Sequence, residues 1–266
     1  SSFKISMEEP LANQAFFYSR LLGAMFLHAG EKFHATASLF AENDAMKMST
    51  DKLGNEAWGA MTRLVWRPFT ERGKIFHIGI SGAYESPRYS KTLANSHSSY
   101  TLRAPFPTRI ANVSAQEATI TNAKVLWKFS PELNVACGNL GFEAQYFYVG
   151  IKRKNALPNY SAWGAYGNVR YLLNGQGYTY TRTDAGIATP DPGSMELVAA
   201  YNYSTLSDKD AGIHGGKVSD WSLTFNYYLN KYMIWGVRGS ITRATDNAAF
   251  NNNTFSILET RLQIEF

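Results

Sequence analysis

The sequence closes on TFSILETRLQIEF, Thr254 to Phe266. Ser256, Leu258, Thr260, Leu262, Ile264 and Phe266 fall on one set of alternating positions, and Glu259, Arg261, Gln263 and Glu265 on the other. A period of two is the pattern of a strand with one dry and one wet face. The same alternation recurs upstream. Trp221, Leu223, Phe225, Tyr227 and Leu229 oppose Ser222, Thr224, Asn226 and Tyr228, while Met233, Trp235, Val237 and Ile241 oppose Arg238, Ser240 and Thr242.

Working outward, this reading predicts strands at 2–8, 20–28, 32–41, 56–67, 74–85, 117–128, 135–150, 160–174, 194–204, 217–228, 232–243 and 254–266, with no helical period anywhere. Composition agrees: 14% of the 266 residues are aromatic and 21 are glycine, a mixture that suits strands and turns. The longest apolar stretch, near Leu21 to Leu27, is far short of the roughly 18 residues a spanning helix needs. A lone Cys137 leaves no internal disulfide framework and no multi-thiolate metal site, so no metal or cofactor is expected.

The connections are sorted by length. His28 to Lys32, Pro68 to Lys74, Ser130 to Asn134 and Asn230–Lys231 read as tight turns, whereas 42–55, 86–116, 205–216 and 244–253 are long and polar. Short turns at one end and long loops at the other are the arrangement of a transmembrane antiparallel β-barrel, an all-β fold. Alternation alone also fits a soluble sandwich, in which the apolar face would meet a core. On the barrel reading the long loops are extracellular. The link 176–193 is the exception, a long connection on the periplasmic side.

With Phe266 towards lipid, Glu259 and Arg261 face the lumen, because an Arg at the lipid midplane costs about 2–4 kcal/mol. Parity turns Arg63, Lys124, Lys128, Arg170 and Arg238 inward as further pore-lining candidates, along with Glu85, Glu143 and Glu196, so the wall is mixed in sign. The loop Ser86 to Gln116 carries Arg88, Lys91, Arg103 and Arg109 with no acidic residue. These four are the candidates for an anion-binding constriction, since rings of Arg or Lys select anions and guanidinium matches phosphate oxygens bidentately. The competing reading lays this loop over the surface against lipid and anionic lipopolysaccharide. A second basic cluster, Lys152 to Lys154, sits in another extracellular loop. Catalysis is not expected: on one strand face, His77 and Ser81 lie about 13 Å apart, where a nucleophile and its base need about 3 Å. No nucleic-acid partner is expected.

Several segments resemble the phosphate-selective porin O and P family. AYGNVRYLLNGQGYTY (Ala165 to Tyr180), followed by GSMELVAAYNYSTLSD (Gly193 to Asp208), carries the most distinctive likeness. WRPFTERGKIFHIGISGAY (Trp66 to Tyr84), GNLGFEAQYFYV (Gly138 to Val149), MEEP and FFYSR are similar to further family segments. The resemblance implies a passive porin in the outer membrane of a Gram-negative bacterium, passing small anions, phosphate among them, as a homotrimer. It implies about sixteen strands where twelve are read here. A single barrel domain over 1–266, lacking two N-terminal hairpins, would reconcile the counts; a closed twelve-stranded barrel is the alternative. The sequence begins SSFKISMEEP, without Met or leader, as expected of a processed or partial chain. Phe266 resembles the terminal aromatic residue by which the barrel-assembly machinery recognises such proteins. Two departures weigh against phosphate specificity while leaving anion preference: Ala200 stands where the family strand has Arg, and Phe106 where it has an acid. A loop-closed barrel acting as an envelope scaffold, with 176–193 as its handle, is the alternative function.

Overall fold

The computed structural model describes residues 7–17, 21–41, 58–87, 98–106, 113–246 and 252–265. In chain order these form α1 (Leu11–Phe16), β1 (Leu22–Ala29), β2 (Phe33–Ala41), β3 (Trp58–Glu71), β4 (Lys74–Ser86), β5 (Tyr100–Pro105), β6 (Ser114–Ile120), β7 (Ala123–Cys137) and β8 (Leu140–Arg153). They continue with β9 (Tyr160–Leu172), β10 (Tyr180–Thr181), β11 (Gly186–Ile187), β12 (Met195–Thr205), β13 (Lys217–Asn230), β14 (Met233–Thr245) and β15 (Asn253–Ile264). Eleven strands make one antiparallel sheet in the order β1-β2-β3-β4-β7-β8-β9-β12-β13-β14-β15, with β1 and β15 as its edges. Each wall strand pairs with the next along the chain, so the protein has the all-β architecture of an antiparallel β-barrel wall.

The distribution of polarity is inverted relative to a soluble sheet. Trp221, Leu223, Trp235, Ile241 and Leu258 stand exposed on the outer face, Leu258 at 82%. Their neighbours Asp220, Thr224, Asn226, Arg238 and Thr242 are buried on the inner one. That is the arrangement lipid outside and protein or water inside demand.

Several expected boundaries move. Residues 7–8 form a bend rather than strand, and a helix follows where none was expected. Pro10 sets the entry to α1, and Leu11, Ala12, Ala15 and Phe16 are its buried residues. Six residues are too few to display a period in the sequence. The turn expected at Ser130 to Asn134 is instead the middle of β7, and the chain reverses at Gly138 and Asn139. Pro131 lacks an N–H, but the Ser130 hydroxyl donates to the Tyr146 carbonyl at 2.8 Å, which supplies a donor to the interrupted ladder. The strand expected at 117–128 is two, because Asn122, at φ 55°, turns the chain between β6 and β7. Arg72 and Gly73 alone make the turn after β3. Phe266 lies outside the described residues.

The β5–β6 hairpin and α1 pack on the inner face. Leu11, Ala12, Phe16, Leu102, Ala104, Ala115 and Ile120 form one buried cluster with Phe147, Val149, Ile151, Ala162, Leu206, Val218 and Ala244 of the wall and its loops. Each large aliphatic side chain sealed there contributes about 1.5–3 kcal/mol. The Gln116 amide donates to the carbonyls of Ser204 (2.9 Å) and Gly216 (3.0 Å), fixing the hairpin to β12 and the 206–216 loop. The apolar end of the inner face is thus the one that carries the long loops.

Close approach of α1 depends on Gly164, where an added Cβ would come within 2.7 Å of the Ala12 methyl and 3.0 Å of the Ser204 Cβ. In a Cys137→Ser background, the substituted Ala12→Cys is expected to resist maleimide and to become reactive once Gly164→Val is added. Heat-modifiable gel migration should persist in both; equal labelling of the two would show that the helix does not rest on Gly164.

Outside the strands, His214 Nδ1 and Asp246 Oδ1 lie 2.9 Å apart and join two extracellular loops. This hydrogen bond, helped by Lys217, holds the Asp246 carboxyl below its ordinary range. A depressed carboxylate stabilises the folded arrangement above its unfolded pKa and releases that contribution as pH falls through the folded value. Amide exchange at Ile213 to Gly215, corrected for its intrinsic pH dependence, should therefore rise only in acid, and Asp246→Asn should abolish the step.

Candidate pore lining and its charge network

The inner face carries cations at regular places along the strands, and five of them are set against carboxylates. Arg63 on β3 meets Glu132 on β7 at 2.7 Å. Lys128 on β7 meets Glu85 on β4 at 2.8 Å, with both side chains nearly buried. Arg170 on β9 lies between Glu143 (2.9 Å) and Glu196 (2.7 Å). Arg238 on β14 lies between Asp220 (2.8 Å) and Glu259 (2.9 Å). Arg261 on β15 faces Glu8 at 4.0 Å. Strand register explains the matching: Asp220 pairs with Thr242 and Arg238 with Glu259, so the charges occupy neighbouring rows of one face.

Lys124 departs from its expected inward position. The β7–β8 register shifts between Ala123 and Val125, so Ala123 takes the buried place and Lys124 is exposed. An inserted bulge residue reverses the parity of everything beyond it. Of the four constriction candidates, Arg88, Lys91 and Arg109 lie outside the described residues. Arg103 is exposed on β5, donates to Ser114 Oγ and stands 3.5 Å from Glu117, an acid immediately beyond the stretch read as free of them. Ala200 is inward and buried, and Phe106 packs edge-on against Phe255.

The periplasmic link between β9 and β12 folds inward instead of projecting. Gly177, at φ +91°, lets it pass close to the Gly73 and Gly138 turns, where a Cβ would lie 2.9 Å from the Gly138 carbonyl. Tyr178 then buries its ring under the Arg170 guanidinium (4.6 Å) and donates to Glu196 at 2.8 Å. Tyr228 donates to the other oxygen of Glu196 at 2.7 Å. Burial and the neighbouring Glu196 raise the Tyr178 hydroxyl pKa, so it stays a donor at neutral pH. Further along, His77 bridges the Tyr180 hydroxyl (2.8 Å) and Glu132 (2.9 Å). Arg63 donates to the carbonyls of Asp184 (2.9 Å) and Ala185 (2.8 Å).

Arg67 completes the clamp and was not anticipated. It donates to the carbonyls of Arg182 (2.6 Å) and Gly30 (2.5 Å) and faces the Tyr180 ring at 5.3 Å. It is 0% exposed, and no carboxylate of the described residues is within ion-pair distance of it. Parity with Arg63 and Val65 marks it as inward, but Pro68 beside it had placed it at the edge of a turn.

Outer apolar face, inner charge rows and sorted loops are together the features of a channel wall. A family model described as phosphate-selective porin O and P matches residues 6–266. The chain belongs to that porin family. No curated protein matches it. As a family member it is an outer-membrane porin of a Gram-negative bacterium, and its geometry is that of a channel wall.

The porin's paired wall has a measurable cost when broken. Removing one member of a buried pair leaves an uncompensated charge, at about 3–5 kcal/mol, whereas replacing both by apolar residues is often neutral. Lys128→Met should accordingly lower the urea midpoint of the heat-modifiable fold, and Lys128→Met with Glu85→Leu should recover most of the loss.

Proposed function

We propose that this porin passes small hydrophilic solutes with a preference for anions, phosphate included. The wall alone does not supply that preference, since Arg63, Lys128, Arg170, Arg238 and Arg261 each face a carboxylate. The observation that carries the reading is the seat of the basic loop. Its described parts, β5 and β6, pack on the inner face, and they flank the segments that hold Arg88, Lys91 and Arg109. Cations gathered at an inner constriction replace part of an anion's hydration while each holds it weakly enough to let go. The paired wall residues supply fixed dipoles and a wetted surface. The loop supplies the sign.

A second reading is favoured by the filling of the extracellular end by α1 and the β5–β6 hairpin: a loop-closed barrel that binds other envelope components. The inward fold of the periplasmic link removes the handle such a scaffold was expected to offer. Partners on either reading include outer-membrane lipid and lipopolysaccharide, the barrel-assembly machinery and a homotrimer of this chain.

Single-channel recording in a planar bilayer separates the two. The expected result is an anion-selective reversal potential in a KCl gradient, with chloride current reduced as phosphate is added. Joint substitution of Arg88, Lys91, Arg103 and Arg109 by Glu should shift selectivity towards cations, whereas Lys128→Met with Glu85→Leu should leave it unchanged. Absence of conductance would move the reading to the scaffold.

A further inference from the structure

Arg67 poses a physical problem. A guanidinium held at 0% exposure without a carboxylate partner among the described residues is a costly placement, since a buried charge ordinarily requires an opposite one. Its Nε has no hydrogen-bond partner among the described residues, and its two outer nitrogens donate to the carbonyls of Arg182 and Gly30 beside the Tyr180 side chain. Four residues earlier on the same strand, Arg63 also donates to the carbonyls of Asp184 and Ala185, but its Nε and one outer nitrogen stand against Glu132 at 2.9 Å and 2.7 Å. Of these two guanidinium groups on one face of β3, Arg63 has a carboxylate partner and Arg67 is held by neutral backbone oxygens, one of them from the link. Carbonyl oxygens are weaker acceptors for such a fork than the oxygens of an anion.

The link has room to yield. Gly186 and Ile187 border a polar cavity of about 200 Å³ on the wall side, with Arg63, Glu132, Asn134, Glu143 and Tyr166. The same two residues border a cavity of about 540 Å³ on the other side, with Pro190, Asp191 and Lys231. The link at this point is a single chain thickness between two spaces, and a Cβ added at Gly186 would meet nothing within 4 Å. Within the link, Gly186 and Ile187 pair with Thr181 and Tyr180, and the link's further anchors lie at either end. Tyr178 is anchored on Glu196, and Asp191 is paired with Arg72 at 2.6 Å.

We infer that Arg67 is a binding site for a small oxyanion, whose outer donors the carbonyls of Arg182 in the link and of Gly30 occupy while no anion is present. Phosphate and the link, through the Arg182 carbonyl, compete for the Arg67 guanidinium. An oxyanion arriving at the periplasmic end takes the fork of Arg67, neutralises its charge and releases Arg182, so the permeating ion itself displaces the partition. The inference rests on the anion-porin reading and adds to it a site and a means of regulation.

The test is limited trypsin cleavage after Arg182 in the intact porin, held in detergent free of phospholipid so that the free ion is the only phosphate source. Inorganic phosphate should accelerate this cleavage several-fold over chloride at equal ionic strength. Arg67→Gln should be cleaved rapidly without phosphate and should not respond to it. Should that variant fail to assemble, Arg67→Lys keeps the charge without the fork and should respond more weakly than the parent. Cleavage unaffected or slowed by phosphate, in a channel whose current phosphate does reduce, would overturn the competing site and leave the porin reading standing. Cleavage accelerated by phosphate in a channel without anion preference would uphold the site and overturn that reading instead.

Discussion

Everything in this wall follows from the requirement that a strand crossing lipid present its apolar side chains outward, leaving every polar one to find a partner within. On β13 and β14 this puts Asp220, Thr224, Asn226, Arg238 and Thr242 on a face where burial is nearly complete. Charge there is tolerable only when compensated at contact distance. The alternation of Arg, Lys, Asp and Glu between neighbouring strands is that compensation. Arg238 holds two acids from two different strands, and Arg170 does the same on the other side of β12. These pairs cross-link adjacent strands on the inner face, where ladder hydrogen bonds already join their backbones.

The two ends of the lumen are finished with different materials. At the extracellular end, α1 and the β5–β6 hairpin meet the wall through methyl groups and aromatic rings. At the periplasmic end, the link is held by guanidinium groups, two tyrosines and a histidine. Apolar packing resists rearrangement because no competing ligand offers an equivalent contact. Hydrogen bonds from Arg to a carbonyl can be exchanged for hydrogen bonds from Arg to any other oxygen. One end is therefore built as a fixture and the other as an exchangeable contact.

The strands and their facing were legible in the sequence because period two is a local signal that lipid makes strict. What was not legible depended on single residues that break the period. The bulge at Ala123 to Val125 sends Lys124 outward although its parity says inward. Pro131 reads as a turn, but it stays in a strand, in register with Ile80 of β4 and beside a Ser130 hydroxyl that donates to Tyr146. The two-residue reversal at Thr121 and Asn122 is short enough that the inner hairpin and β7 look like one strand. Arg67 was hidden by Pro68. The partnering of the inner charges was equally out of reach, because neighbours across a sheet are set by register and not by sequence distance.

Apart from Arg67, the inner charges described above are matched with carboxylates, and such pairs project little net field into the water beside them, since opposite charges a few ångströms apart appear as short dipoles. On the proposed reading, any preference for one sign of ion then rests on the basic loop. Interactions of exposed charges are screened over about 10 Å at 0.1 M salt and over about 3 Å at 1 M. The buried pairs lie out of reach of that screening. Selectivity and stability in this porin are consequently decoupled with respect to ionic strength: concentrated salt would flatten the discrimination between ions while leaving the barrel wall as firmly held as before.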